Sequence, residues 1–177
     1  MKKWLVDLLK MSIFLGIDNG IGGALAVYDS EANTLEAFVM PTVKVQKAKG
    51  NKNEYNIPAI IEWFKSKPAA RMVTLEKAQP FPGQGAVSMF SIGRGFGIME
   101  GILAGMSLPY MVVHPKTWQK KMFEGVAHTD TKQASILVAQ RLFPGVKFIA
   151  SDKATKLHNG MSDAALMAYY GYLLHNN

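Results

Sequence analysis

The sequence has no cysteine, which excludes disulfides and thiolate metal ligands but leaves the cellular compartment open. It has no apolar run of the roughly 18 residues that a membrane-spanning helix needs, so we expect no membrane partner. The first ten residues carry an acid and lack a small-residue cleavage site, and therefore do not predict a signal peptide. Internal repeats, low-complexity segments and linkers are missing as well. We expect a single domain over residues 13–177, preceded by an N-terminal extension over residues 1–12.

An excess of basic residues is the clearest feature of the composition. The 177 residues include 20 Lys and Arg against 13 Asp and Glu, a formal charge of +7, and 49% are hydrophobic. The hydrophobic content predicts a folded globule with a substantial core. The positive charge favours a polyanionic partner, most simply nucleic acid, although a basic protein without such a partner has the same composition. We expect an intracellular location.

A β-hairpin is predicted over residues 13–28, IFLGIDNGIGGALAVY. Its first residues are apolar and β-branched, as in a buried strand, and the glycines after Asp18 allow the chain to turn back. A carboxylate at the end of a buried strand is costly unless a cation lies opposite it. That cation could be a metal, a lysine or phosphate-bound magnesium. The alternative is that Asp18 forms a turn by bonding its own backbone.

A third strand is predicted over residues 34–40, and Pro41 ends it. We expect a mobile basic loop over residues 44–56 that is able to touch phosphates. A solvated loop with no partner is the alternative. The lysines of this segment are Lys44, Lys47, Lys49 and Lys52.

A helix over residues 57–67 leads to a second important strand over residues 71–77. The apolar spacing of the helix is typical of an amphipathic element, with a proline in its permitted first turn. The strand delivers Glu76 at its end, as the first strand delivers Asp18. Two prolines and two glycines then exclude regular structure over residues 78–85.

Glycines recur along the next predicted helix, residues 86–106. Each interior glycine costs about 1 kcal/mol relative to alanine, so we expect a compensating contact. A spacing of four places them on one smooth stripe that another backbone could approach closely. The partner is either the sheet below or a second subunit. The stripe consists of Gly93, Gly97, Gly101 and Gly105.

The predicted order of elements is three strands, a helix, a strand, a helix, a strand and then helices. Strands joined by tight turns should be antiparallel, and strands separated by helices should be parallel to the first through right-handed crossovers. We therefore predict an α/β fold with one mixed five-stranded sheet and helices on both faces. The last elements are a strand over 109–114, a short helical turn from Pro115, a helix over 131–143 capped by Thr129 or Asp130, and a final helix from Gly160 or Met161 to Leu174.

Three distant acids are expected to meet at one edge of this sheet. Asp18 and Glu76 end parallel neighbouring strands, and the small residues after Asp163 allow the last helix to lie close above them. Clustered carboxylates repel and need a divalent cation, for which oxygen ligands favour Mg²⁺ or Mn²⁺. Two such ions would form the clamp for phosphodiester hydrolysis. Taken singly, each acid could also be a cap, a turn residue or a surface charge.

The chain resembles the RuvC family of Holliday-junction resolvases, within the ribonuclease H-like superfamily, and is nearer to its phage, poxvirus and chloroplast branches. The resemblance implies a ribonuclease H-like fold, paired symmetric nicks in four-way DNA junctions and two Mg²⁺ or Mn²⁺ ions per active site. It also implies a C₂ homodimer built on the helix after the second acid, because the junction has near two-fold symmetry. The segments that carry the resemblance are FLGIDNGIGGALAVYD, VTLEKAQPFPGQG, SIGRGFGIMEGIL, VVHPKTWQK and KLHNGMSDAALMAYYG.

The resemblance implies Asp18, Glu76 and Asp163 as metal ligands, but the fourth ligand departs from the family pattern. Where common bacterial members have an acid or histidine, this chain has a glycine, and where phage and chloroplast relatives have acids just before it, this chain has His158 and Asn159. His158 could ligate Mn²⁺ or act as general base only if the helix unwinds near that glycine. Otherwise it caps the helix or faces DNA. We hypothesise that Asn159 weakens the binding of one metal.

The remaining candidate residues are those that would contact DNA. Lys116 falls where relatives have a basic residue near the scissile phosphate, where it would neutralise developing charge, although it could also be a surface lysine. Phe81 is the candidate aromatic wedge at the branch point, or else an anchor in the core. The other candidate phosphate contacts are Lys77, Gln79, Gln84, Arg94, Lys120, Lys121 and Lys132.

Three other functions compete with junction resolution. A related ribonuclease H-like nuclease would cut RNA, hybrids or replication forks. A catalytically impaired junction-binding protein would bind without cutting, which the asparagine at position 159 would favour. An actin-like ATP-binding protein would need a second phosphate-binding motif and a much longer chain, so we expect no nucleotide cofactor.

Overall fold

A five-stranded mixed sheet forms the centre of the fold in a computed structural model that describes residues 12–48, 50–79, 82–127 and 130–176. The predicted extension over residues 1–12 lies almost wholly outside the described residues. The strands are β1 (Ile13–Asp18), β2 (Ala24–Asp29), β3 (Thr34–Val39), β4 (Thr42–Lys47), β5 (Gly50–Tyr55), β6 (Ala70–Glu76) and β7 (Tyr110–Val113).

The order of strands in the main sheet is β3-β2-β1-β6-β7. The first three strands are antiparallel, whereas β6 runs parallel to β1 and β7 runs parallel to β6. The predicted mixed sheet is therefore confirmed. Because β1 and β6 are parallel neighbours, Asp18 and Glu76 end at the same edge of the sheet.

Five helices are described, and polar caps mark where several of them begin. Asn56 Oδ1 accepts a hydrogen bond from Ala59 N–H at 3.2 Å, and Asp130 Oδ1 accepts one from Lys132 N–H at 2.9 Å, so both carboxamide and carboxylate caps are used. Thr129, the alternative cap, lies outside the described residues. The helices are α1 (Ile57–Lys65), α2 (Ala86–Gly105), α3 (Pro115–Met122), α4 (Thr131–Leu142) and α5 (Asn159–His175).

The helices cover both faces of the sheet, as the sequence predicted. Side chains alternate along β1, so that Phe14 packs on one face while Leu15 and Ile17 pack on the other. The first face carries α3, α4 and α5, and the second carries α1 and α2. Among the described residues, none of the helices is both long and apolar enough to cross a bilayer.

Helix α5 lies unusually close to β1. A Cβ atom added to Gly16 would lie 2.0 Å from the carbonyl oxygen of Ala164 and 2.5 Å from the nitrogen of Ala168. The two backbones are therefore in direct contact, which only a glycine on the strand allows. The expectation that small residues after Asp163 let the last helix approach the sheet is confirmed. This contact fixes the start of α5 above the end of β1.

The prediction of a mobile loop over residues 44–56 was wrong, because the segment forms an antiparallel hairpin of β4 and β5. Val43 and Val45 alternate with Lys44 and Gln46, which is the period of a strand. The lysine content had favoured a loop, whereas this alternation indicates a strand. Asn56 N–H donates to the Pro41 carbonyl at 3.0 Å and closes the base of the hairpin.

The glycine stripe on α2 does not face the sheet, which corrects the first of the two predicted partners. A Cβ atom at Gly93, Gly97, Gly101 or Gly105 would meet no atom of the described residues within 4 Å. The glycine that does pack inward is Gly95, where a Cβ would lie 2.7 Å from the Asn19 carbonyl oxygen and would collide with the Tyr55 hydroxyl.

The short helical turn predicted from Pro115 is a longer element than expected, because α3 has eight residues.

We predict that Gly16→Ala destabilises the protein by about 3 kcal/mol or more, since the new methyl group would overlap the α5 backbone rather than a flexible side chain. Urea unfolding followed by circular dichroism measures this. Gly145→Ala is the matched control, because a Cβ there meets nothing within 4 Å, and its effect should stay within about 0.5 kcal/mol. Equal stability of the two variants would contradict the close packing of α5.

Candidate active site

Asp18, Glu76 and Asp163 lie near one another at the edge of the sheet. Asp18 and Glu76 end β1 and β6, and Asp163 is in the early part of α5, which packs on β1. The negative charge of Asp18 raises the pKa of both other carboxyls, and that of Asp163 raises the pKa of Glu76. The structure thus brings the three predicted acids into one electrostatically coupled group.

Asp18 is held by backbone groups on two sides. Its Oδ1 accepts a hydrogen bond from Gly20 N–H at 3.1 Å, which is the turn contact expected as the alternative to a cation. Added Cβ atoms at Gly23 and Gly160 would each lie 2.8 Å from its carboxylate, so these glycines leave room for it. Burial raises the pKa of Asp18, while Gly20 N–H and the charge of His158 lower it.

Glu76 is held by a tryptophan to which the sequence analysis assigned no role. Trp118 Nε1–H donates to Glu76 Oε1 at 2.9 Å, and Asn19 Nδ2–H donates to the Glu76 carbonyl oxygen at 2.5 Å. Burial raises the pKa of Glu76 to about 7; the indole N–H lowers it, and the charges of Asp18 and Asp163 raise it further. Because a buried indole N–H needs an acceptor, a tryptophan at position 118 indicated that some acceptor would lie near it.

Asp163 is the acid that Asn159 contacts. Asn159 Nδ2–H donates to Asp163 Oδ2 at 2.6 Å, one turn apart on α5. Burial raises the pKa of Asp163 to about 7; the Ser135 hydroxyl, Asn159 and the charge of Lys132 lower it, and the charge of Asp18 raises it. Ser135 is fully buried on α4, and no pattern in the sequence singled it out.

Among the described residues, two buried oxygens of this site have no donor within ordinary hydrogen-bond distance, although the Ser135 hydroxyl is near enough to lower the pKa of Asp163. These oxygens are Asn159 Oδ1 and Asp163 Oδ1, and an unpaired buried acceptor is costly. Oxygen donors of this kind suit Mg²⁺ or Mn²⁺, so the chemistry of the residues fits a divalent cation. In the present side-chain arrangement, however, no three His, Asp or Glu side chains of the described residues converge closely enough to hold a metal. Glu76 is directed to Trp118 and Asp163 to Asn159 instead.

His158 caps α5. Its Nδ1 accepts a hydrogen bond from Met161 N–H at 3.2 Å, and α5 begins at the next residue without unwinding at Gly160. Capping is one of the alternatives that the sequence left open, and it leaves only Nε2 for another partner. The charge of His158 also lowers the pKa of Asp18. A role for His158 as metal ligand or general base stays a prediction.

Lys116, predicted near the scissile phosphate, and Lys77, a predicted phosphate contact, both lie at the edge of the sheet where the acids lie. Lys116 is exposed in the first turn of α3, directly after β7. Because β7 is parallel to β6, this turn is at the same edge of the sheet as Glu76. Lys77 follows Glu76 directly and its backbone N–H donates to the Val113 carbonyl at 2.8 Å. Their contacts with DNA stay predictions.

The other predicted DNA contacts are more scattered. Arg94 forms a 2.5 Å salt bridge with Glu54, and Lys121 forms a 3.5 Å salt bridge with Glu124. Lys120 is exposed in the last turn of α3, and Lys132 is exposed in the first turn of α4. Gln79 Nε2–H donates to the Ala78 carbonyl oxygen, and Gln84 lies just before α2. Phe81, the predicted wedge, lies outside the described residues.

Tyr55 and Asn19 connect the hairpin to the acids. Tyr55 is buried at the end of β5, and its hydroxyl donates to the Asn19 carbonyl oxygen at 2.8 Å. Asn19 in turn holds the end of β6 through the Glu76 carbonyl. This connection was not predicted, because residues 44–56 were expected to form a loop and Asn19 to be part of a turn.

Comparison with solved structures shows the fold. A structure described as T. thermophilus RuvC in complex with Holliday junction substrate is 15% identical, with a TM-score of 0.56, and the match covers 93% of this chain and 95% of that chain. A structure of Thermus thermophilus RuvC is 16% identical, with a TM-score of 0.57 and the same coverage. No protein-family model and no curated protein matches the sequence. The chain has the ribonuclease H-like fold of these RuvC structures, as its motifs implied.

We predict that the metal-free protein loses stability as the pH rises. Glu76 and Asp163 bind protons more tightly in the folded chain, with pKa values of about 7, than in the unfolded chain. The folded state therefore holds more protons between about pH 4 and pH 7, and the free energy of unfolding falls across that range, by on the order of 3 kcal/mol for each of the two carboxyls.

Urea unfolding in EDTA at several pH values measures this loss. Glu76→Gln combined with Asp163→Asn should flatten the pH dependence, whereas Glu31→Gln, in the exposed turn between β2 and β3, should leave it unchanged. A wild-type protein whose stability rises from pH 5 to pH 8 would overturn the prediction.

Proposed function

We propose that this chain, which has the RuvC fold, is a structure-selective endonuclease that resolves four-way DNA junctions by paired symmetric nicks. The observation that carries the proposal is the coupled group of Asp18, Glu76 and Asp163 at one edge of the sheet. The net charge of +7 suits a polyanionic substrate. A similar solved structure is described as RuvC in complex with a Holliday junction substrate, which supports branched DNA as the substrate class.

The three acids would hold divalent cations, Mg²⁺ or Mn²⁺, with two per active site as the proposed number. Asn159 Oδ1 and Asp163 Oδ1 support this, because neither buried oxygen has a donor within ordinary hydrogen-bond distance among the described residues, and His158 is a further candidate ligand. A bound cation supplies an activated water and stabilises the leaving oxygen. Within the chain, Trp118 and Asn19 orient Glu76, and Gly20 N–H orients Asp18. Cation binding would favour the ionised form of all three carboxyls.

The exposed lysines at this edge would position the DNA. Lys116 would lie near the scissile phosphate and stabilise the charge that develops there. We assign the nuclease to a single domain over residues 13–177, preceded by an extension over residues 1–12, and expect it inside the cell, with DNA. The other proposed DNA contacts are Lys77, Gln79, Phe81, Gln84, Arg94, Lys120, Lys121 and Lys132.

A homodimer would present two such sites to the two strands of a junction. The outer face of α2 supports this proposal. Its glycines meet no atom within 4 Å of an added Cβ, so nothing in the described part of one chain compensates their cost of about 1 kcal/mol each. An apolar groove of about 410 Å³ runs along this face. It is lined by Ile57, Ile61, Gly97, Ile98, Gly101, Ile102, Gly105 and Met106.

The competing functions differ from this one in measurable ways. A ribonuclease H-like nuclease acting on RNA, hybrids or forks would prefer those substrates in a cleavage panel. A junction-binding protein with an impaired site would bind a four-way junction and cut it in neither Mg²⁺ nor Mn²⁺. The amide at position 159, bonded to Asp163, is the observation that favours this second alternative.

We predict that the chain cuts a labelled immobile four-way junction in Mn²⁺, with symmetric paired nicks on opposite strands. Glu76→Gln and Asp163→Asn should each lower the cleavage rate by about 10³-fold or more, since removal of catalytic machinery commonly costs on that order. Junction binding in EDTA should change little. Gel analysis of both strands gives the rates, with Glu31→Gln as the control. Cleavage that survives both substitutions would refute the proposed site.

We predict that Asn159→Asp raises the cleavage rate at limiting Mg²⁺ by about tenfold or more, because a fourth carboxylate would strengthen metal binding on the order that ligand environments tune it. The same change should destabilise the metal-free protein, since the amide donor to Asp163 becomes a like charge. Asn176→Asp, in the exposed C-terminal region, is the matched control. Equal cleavage rates in Mg²⁺ would rule out the hypothesis that Asn159 weakens one metal.

We predict that the protein is a dimer at micromolar concentration and that Gly101→Leu weakens dimerisation by about tenfold or more, since a bulky side chain would hold the α2 helices apart. The monomer should keep its fold, because nothing lies within 4 Å of an added Cβ. Sedimentation equilibrium measures the dissociation constant. Ala32→Leu, in an exposed turn, is the control for added bulk. A wild-type monomer of 19.5 kDa would contradict the dimer and count against the resolvase.

A further inference from the structure

A cleft lies between the β4–β5 hairpin and the first half of α2. It has a volume of about 460 Å³, which is within the range of small-ligand sites. Val45 pairs with Lys52 across the hairpin, so both side chains project from the face that lines this cleft. Lys44 is adjacent in sequence to the lining residues and projects from the opposite face.

The cleft is basic. Lys47, Lys52 and Arg94 line it together with a single acid, Glu54. Arg94 bonds Glu54 at 2.5 Å, whereas Lys47 is 3.9 Å from the same carboxylate. Within the described part of the chain, Lys52 forms no salt bridge. The three cations and one anion therefore leave an excess of two positive charges at the surface.

An exposed aromatic ring lies on the other wall. Phe90 is 73% exposed and Val87 is 78% exposed, both in the first turns of α2, and both line the cleft. Exposed apolar side chains next to cations are the combination used to bind single-stranded nucleic acid, because bases stack on the ring while lysines contact the phosphates. Duplex DNA offers phosphates to such a cleft but no free base.

The base of the β4–β5 hairpin contacts the turn that follows Asp18. Met40 N–H, just before β4, donates to the Gly23 carbonyl oxygen at 3.0 Å, and the Tyr55 hydroxyl donates to the Asn19 carbonyl oxygen at 2.8 Å. Both ends of the hairpin thus contact the turn that follows Asp18. Strands of six residues extend about 20 Å from there.

We propose that the cleft between the β4–β5 hairpin and α2 binds unpaired nucleotides of a DNA strand, with phosphates on Lys47 and Lys52 and a base against Phe90. The site is separate from the three acids and binds strands that are not being cut. It rests on the proposed function only in taking DNA as the ligand.

Binding of a fluorescent twelve-residue oligothymidylate, measured by anisotropy in EDTA at several salt concentrations, tests the proposal. Lys47→Gln combined with Lys52→Gln should reduce the slope of log affinity against log salt by about 1.4, for two phosphates of a single strand. Phe90→Ala should weaken binding by about tenfold, since one stacked base is lost, and Phe90→Tyr should restore it.

Controls separate the cleft from general charge and bulk. Lys44→Gln, on the opposite face of the same hairpin, should leave the salt slope nearly unchanged, and so should Lys65→Gln combined with Arg141→Gln, which removes two exposed charges near the last turns of α1 and α4. Leu137→Ala, exposed on α4, controls for Phe90→Ala. Junction cleavage is measured separately, so a protein that cuts no junction can still pass or fail this test.

Two results would overturn the proposal. One is an equal loss of oligothymidylate binding in the cleft variants and in the controls, which would make the binding nonspecific. The other is unchanged binding with a lower sedimentation mass for Phe90→Ala, which would make the cleft a protein interface. Normal urea unfolding of each variant excludes misfolding, because the altered side chains are exposed.

Discussion

The backbone contact between α5 and β1 at Gly16 is the constraint on which the rest of the site depends. With 2.0 Å between an added Cβ and the Ala164 carbonyl oxygen, neither element can shift without losing the contact. Asp163 is one residue before Ala164 on the helix, and Asp18 is two residues after Gly16 on the strand. The distance between these acids is therefore set by main-chain packing rather than by flexible side chains, which is what a precise site requires.

Burying three acids together has a cost that the fold only partly offsets. The donors that contact them are neutral: Gly20 N–H for Asp18, the Trp118 indole for Glu76 and the Asn159 amide for Asp163. Neutral donors orient a carboxylate without balancing its charge, so burial still raises the pKa values of Glu76 and Asp163 to about 7. A divalent cation would offset the negative charge of the three acids. Asn159 Oδ1 and Asp163 Oδ1, which accept no hydrogen bond of ordinary length in the described part of the chain, are candidate ligands for it.

The sequence predicted the sheet, Asp18 and Glu76 because an apolar run that ends in an acid is typical of a buried strand with a carboxylate at its end. It predicted the place of Asp163 because the small residues that follow it let the last helix lie close to the sheet. The predictions failed where one sequence pattern is compatible with two different structures. The lysines at positions 44 and 47 concealed the alternation of β4, and a glycine spacing of four does not tell which side of α2 faces the sheet. In contacts between distant segments, such as Trp118 with Glu76, the residue type can indicate that an acceptor is needed, but the packing of α3 decides which acceptor it is.

The central claim is that the three acids share a cation, and anomalous diffraction at the manganese edge from crystals grown with Mn²⁺ tests it most directly. We expect an anomalous peak among the carboxylates of Asp18, Glu76 and Asp163. Ordered Mn²⁺ elsewhere on the protein, with no peak at these acids, would contradict the account.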